Sequence, residues 1–150
     1  MCRRLVPFVA LLLAGGCGGD DPVGSRPDGD TAAITSTVLL DAVDRSILGS
    51  ILEYPDSGQA QITASLIEVP PGADTGWHYH ETPLVAHVLA GEITVTYEMP
   101  DGPVVRTYVA GQSLVEEVDI HHYGRNDGDE MARLLVVFVG AEGSANSVGL

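Results

Sequence analysis

Turn-forming residues interrupt this chain so often that it has room for short strands and almost none for helices. Pro55-Asp56-Ser57-Gly58, Pro70-Pro71-Gly72, Ala90-Gly91-Glu92, Pro100-Asp101-Gly102-Pro103, Ala110-Gly111 and Asn126-Asp127-Gly128-Asp129 are turns by residue type. Between them lie runs rich in β-branched and apolar residues: 34–40, 47–54, 61–69, 77–80, 85–89, 93–98, 104–109, 113–115, 121–123 and 132–139. Gln61 to Val69 alternates, with Ile62, Ala64 and Leu66 opposite Thr63, Ser65, Ile67 and Val69. Ile93, Val95 and Tyr97 share one face, and Ala132 to Val139 is nearly continuously apolar, as a barrel wall would be. Only residues 39–49 carry any amphipathic helical character. Short strands repeating roughly every 8–12 residues predict an all-β sandwich or barrel.

The histidines supply the chemistry. All five, at positions 78, 80, 87, 121 and 122, fall within residues 78–122. His78 and His80 are spaced i, i+2, so on an extended chain both imidazoles point to the same side. Clustered imidazoles that can aim into one cavity point to a metal site.

Charge narrows the partners. The chain has 21 acidic residues against 7 basic ones, all arginine, for a net charge of −14. Phosphate contacts need Lys and Arg, so nucleic acid is excluded as a natural partner. The two cysteines, Cys2 and Cys17, both lie near the N-terminus. The folded part therefore has no disulfide, no thiolate ligand and no cysteine nucleophile.

Residues 1–16 read as an export signal. Arg3 and Arg4 precede an apolar run, Leu5 to Leu13, that is too short for a stable membrane span. Ala14-Gly15-Gly16-Cys17 resembles a bacterial lipobox, with Ala14 where leucine is usual. The resemblance implies cleavage before Cys17 and its lipidation, so that acyl chains on Cys17 hold the protein at a membrane in the cell envelope, facing the periplasm. The alternative is ordinary signal cleavage and a soluble periplasmic protein. Residues 17–32, rich in Gly, Asp and Pro, read as a flexible tether. The folded domain is expected at residues 33–143, with a tail at 144–150.

Two spacings carry a family resemblance. The first runs Gly72, five residues, His78, Tyr79, His80, three residues, Leu84, six residues, Gly91. The second runs Gly111, five residues, Glu117, one residue, Asp119, two residues, His122, three residues, Asn126. Both resemble the motifs of the cupin family, over about residues 60–140. The resemblance implies a cupin-type jelly-roll β-barrel, with His78, His80 and His122 as ligands of a divalent transition metal such as Fe, Zn, Ni, Cu or Mn. It also implies a small-molecule ligand or substrate, and a homodimer.

Three positions depart from the family pattern. Leu84 stands where a ligating glutamate is usual, and Glu117 and Asp119 replace a proline and a glycine. The implied site is thus a three-histidine one without the usual carboxylate, similar to certain oxygenase-type cupins, and more apolar at position 84. Losing a hard carboxylate moves the metal preference away from Mn(II). The alternatives to a metal-dependent enzyme, of oxygenase or isomerase type, are a non-catalytic small-molecule binder and a metal-binding lipoprotein. Glu116 and Glu117, beside the second motif, are candidate general acids or bases at the cavity rim. Glu81, His87 and His121 are lesser candidates as ligands. Only one of His121 and His122 can point inward on a strand, and the spacing selects His122. Trp77 and Tyr123 are candidates for a pocket mouth, and Asn126 and Gly91 read as turn residues.

Overall fold

Among the described residues nine strands form. They are β1 (Ala60–Val69), β2 (His78–Tyr79), β3 (Leu84–Ala90), β4 (Glu92–Tyr97), β5 (Val104–Val109), β6 (Ser113–Val115), β7 (His122–Arg125), β8 (Ala132–Ala141) and β9 (Val148–Gly149). This is a computed structural model describing residues 33–150. The expected leader, Cys17 and the tether lie outside the described residues. Residues 36–150 form one unit, and the description below concerns that unit.

Two antiparallel sheets face each other, one of four strands in the order β1-β8-β3-β6 and one of five in the order β5-β4-β7-β2-β9. There is no helix among the described residues. The inward faces supply the core: Val69, Leu84, Val88, Ile93, Val95, Leu114, Val136 and Phe138 interleave between the sheets. This is the cupin-type jelly roll that the strand spacing and motifs implied. In β8 the continuous apolar run is a wall with an inner and an outer face. Ala132, Leu134, Val136 and Phe138 are buried, whereas Leu135 faces outward.

Before β1 the expectations fail. No strand forms at 34–40 or 47–54, and no helix at 39–49. A single bridge, Arg45 with Ile51, is the only β pairing there. The β-branched residues of this segment meet no partner strand and are largely exposed, and strand preference means little without a pleated neighbour to pack on. Point contacts hold the segment instead. The Ile47 amide donates to the Val115 carbonyl at 2.8 Å, and buried Ser46 bonds the Glu117 carboxylate through its hydroxyl. At the other end, β9 lies within the expected tail, where it pairs with β2.

The turn after β7 is built on Asn126, which is fully buried. Its Nδ2 donates to the Val69 carbonyl at 2.8 Å and the Glu130 carbonyl at 2.7 Å, and its Oδ1 accepts from the Gly128 amide at 3.0 Å. Asn126→Ala strands these groups without replacement. It is expected to cost about 3 kcal/mol, at roughly 1 kcal/mol per bond, read as a lower urea midpoint with an unchanged slope. An unchanged midpoint would show that the bonds carry no net stability. Gly91 sits at φ 67°, and a Cβ there would lie 2.7 Å from the Met131 carbonyl oxygen, so glycine is required. Asp119 adopts a left-handed conformation, at φ 57°, of the kind that favours glycine.

Candidate metal centre

One cross-strand row assembles most of the centre. His122 on β7 is paired with Tyr97 on β4 and with His78 on β2. His80, two residues beyond His78, turns into the same cavity, as the i, i+2 spacing predicts. The Asp119 amide bonds the His80 carbonyl at 2.8 Å, tying the second motif to the first. Ring nitrogens of the three histidines lie within 4.8 Å of one another.

Each ring is oriented by a backbone carbonyl. Nδ1 of His78 donates to the Gly76 carbonyl at 2.8 Å, Nδ1 of His80 to the Asn146 carbonyl at 2.6 Å, and Nδ1 of His122 to the Ile120 carbonyl at 2.7 Å. A carbonyl can only accept, so each Nδ1 carries the proton. A neutral imidazole protonated at Nδ1 presents a lone pair at Nε2, the form in which histidine binds metals. Nε2 of His122 is buried with no hydrogen-bond partner. Burial also pushes the His122 pKa below its ordinary value, against the pull of Glu116, so the lone pair is available at neutral pH. An orphaned, buried lone pair among two others fits a bound divalent cation, and three nitrogen donors suit a transition metal.

The two candidate glutamates part company. Alternation turns Glu116 inward beside Leu114, where it lines the cavity, and turns Glu117 outward with Val115. The Glu116 carboxylate lies 3.5 Å from Nε2 of His80 and 3.4 Å from Nε2 of His122. Burial disfavours its ionisation, but the neighbouring imidazoles of His80, His122 and His78 outweigh this and hold its pKa below the usual range. The Tyr97 hydroxyl donates to Glu116 Oε1 at 3.4 Å. Burial, and then the charge of Glu116, raise the Tyr97 pKa, so the phenol stays protonated as a donor. Glu117 is buried elsewhere, accepting from the Ser46 hydroxyl and, at 2.8 Å, from the Leu48 amide. It anchors the segment before β1.

The lesser candidates lie outside the cluster. His121 pairs with Glu98 at 3.0 Å on the surface. His87 bonds the Ser113 hydroxyl at 2.8 Å. Glu81 accepts from the Ala145 amide at 2.6 Å. Trp77 and Tyr123 pack edge to face, with centroids 4.7 Å apart, and do not line the cavity. Leu84 does line it, as its position implied. The cavity has a volume of about 70 Å³, and its lining is apolar apart from the three imidazoles, Glu116 and Thr75. Two contributors went unseen in the sequence: Tyr97, whose place follows only from the β4–β7 register, and the Asn146 carbonyl, brought by a tail with no motif.

Comparison with known proteins agrees with this geometry. Residues 65–138 match the family described as "Cupin domain". No curated protein matches the chain. Among solved structures, the Lactobacillus farciminis oxalate decarboxylase formate complex is similar at 24% identity and TM-score 0.53, covering 61% of this chain and 27% of that one. A variant of Bacillus subtilis oxalate decarboxylase is similar at 28% identity and TM-score 0.52, over 59% of this chain and 24% of that one. A further Bacillus subtilis oxalate decarboxylase structure, whose subject is its Mn(II) centres, is similar at 23% identity and TM-score 0.52, over 65% and 30%. The chain thus spans about a quarter of the length of these structures. The matched family over residues 65–138, the two-sheet jelly roll and the histidine spacing together support the cupin superfamily as the family of this chain.

Proposed function

We propose that this protein is a divalent-metal cupin of the cell envelope that acts on a small molecule at an oxygenase-type, three-histidine centre. The observation that carries the reading is the set of three Nε2 lone pairs, each pre-set by an Nδ1–carbonyl bond and turned into one apolar cavity. When bound, the metal supplies Lewis acidity and open positions for a small ligand. The chain's own groups do the rest. The carbonyls of Gly76, Ile120 and Asn146 hold the rings in place, and the walls of Leu84, Val95 and Phe138 exclude water. Glu116, inside the cavity, is placed to accept or return a proton, whereas the buried contacts of Glu117 support an anchoring role.

The lining also bounds the substrate. Among the described residues no Lys or Arg lines the cavity, so a second carboxylate, as in oxalate, would meet no cationic side chain among them. A volume of about 70 Å³ holds only a handful of water-sized groups. These limits favour a small, largely apolar molecule with one metal-binding head. They also favour the alternative reading of a non-catalytic binder, because the cavity offers few polar groups beyond the centre itself.

Metal analysis of the anaerobically purified protein tests the reading. About one divalent transition metal per chain is expected, with turnover of a small substrate. Metal and ligand binding without turnover would favour the binder, and no stoichiometric metal would overturn both. The envelope anchor rests on the Cys17 context. A fatty-acid label should be incorporated and then vanish in Cys17→Ser, and an unlabelled secreted protein would reject the anchor.

A further inference from the structure

The carboxylate missing from position 84 has a counterpart on the next strand. β3 and β6 pair in register, Val85 with Val115, Ala86 with Leu114 and His87 with Ser113. One further step sets Leu84 opposite Glu116, and the Glu116 amide reaches the Leu84 carbonyl at 3.3 Å. Residues directly opposite in an antiparallel pair project from the same face. Both side chains line the cavity. A carboxylate on either strand enters the same wall, one ladder step apart.

We propose that Glu116 is the fourth protein ligand of the metal, replacing from the residue after β6 the carboxylate that Leu84 does not provide on β3. The proposal deepens the three-histidine reading and rests on it. Its core is a juxtaposition of acceptors. Nε2 of His80 and of His122 present lone pairs once Nδ1 is bonded to a carbonyl, so neither nitrogen donates to a carboxylate. Yet Glu116 oxygens stand 3.5 and 3.4 Å from those nitrogens. A charge-assisted hydrogen bond would close to about 2.7–2.9 Å. Two donors at about 2.0–2.1 Å from one ion, at the tetrahedral angle, sit roughly 3.3–3.4 Å apart. Each contact, through Oε2 to His80 and through Oε1 to His122, has the spacing of neighbouring ligands. The Tyr97 hydroxyl lies 3.4 Å from Glu116 Oε1, on the side where ligating carboxylates commonly have an outer donor. The centre then carries a formal charge of +1 with a divalent ion. Its hard oxygen donor makes Mn(II) and Fe(II) better occupants than three imidazoles alone would.

The test titrates Mn(II) and Zn(II) into the wild type and Glu116→Gln, and records the visible spectrum of the Co(II)-loaded proteins. Glutamine keeps the volume and removes the charged donor. Mn(II) affinity should fall about 100-fold and Zn(II) affinity about 10-fold, with a changed Co(II) spectrum. Glu116→Asp, which shortens the reach, gives the same readouts should the glutamine variant not fold. Glu117→Gln should leave the affinities and the spectrum unchanged. Wild-type affinity in Glu116→Gln, or weaker binding with an unchanged Co(II) spectrum, overturns the proposal while leaving the three-histidine centre standing. A wild type that binds no metal removes both.

Discussion

Replacing His122 with alanine is expected to abolish the thermal stabilisation that divalent metal confers on this protein. A ligand that binds only the native state at 100 times its Kd stabilises it by about 2.7 kcal/mol. For a domain of this size that is a rise in Tm of roughly 10 °C. His122 bridges the two halves of the centre, since its ring lies 4.5 Å from that of His78 and 4.9 Å from that of His80 by centroid. Its Nε2 has no hydrogen-bond partner in the protein, so its removal takes away a ligand and no internal bond at that atom. His121→Ala is the matched control, because that ring pairs with Glu98 on the surface. It should keep the full metal-dependent rise. Differential scanning calorimetry with and without Zn(II) reads both. A metal-dependent rise that survives in His122→Ala would place the ion elsewhere.

The second large effect is expected from deleting residues 144–150. That segment carries the carbonyl of Asn146, which receives the His80 Nδ1 proton, and β9, which flanks β2 on its outer side. It also supplies the Leu150 amide to the Trp77 carbonyl at 3.1 Å, and the Ala145 amide to Glu81. None of these residues touches the cavity, yet together they set the ring of one ligand and the short strand bearing another. Outer hydrogen bonds to ligating histidines are typically worth 10–100-fold in metal affinity. The shortened protein should retain its barrel, because β1 to β8 are intact, and should bind Zn(II) 10–100-fold more weakly by calorimetric titration. Unchanged affinity would show that Asn146 does not orient His80.

The parts of the site that repeat at strand spacing were legible before the fold was known. His78 and His80 share a face because the backbone alternates, and His122 is picked out from His121 by its interval from Gly111. The same alternation separates Glu116 from Glu117. Applying it requires knowing that β6 extends inward past Leu114 and that Val115 faces the segment before β1. Tyr97 was visible as a member of the Ile93–Val95–Tyr97 face, but its neighbour His122 depends on cross-strand register, which no local pattern encodes. The segment before β1 misled for the converse reason. Its β-branched residues suit a sheet, but apart from the Arg45–Ile51 bridge they pair with no strand. Ser46 and Leu48 are held by hydrogen bonds to Glu117 instead. The two-residue strand β9 exists only because β2 offers an edge. Among the positions that depart from the family motif, Asp119 takes a left-handed conformation and Leu84 faces the cavity.

X-ray absorption at the zinc edge of the Zn(II)-loaded protein measures the coordination sphere directly. Three imidazoles, identified by their outer-shell scattering, together with light oxygen donors and no sulfur, are the predicted environment of one ion per chain. Fewer than three imidazoles around the bound ion, or a failure to load zinc stoichiometrically, would contradict the convergence of His78, His80 and His122 on a single cation.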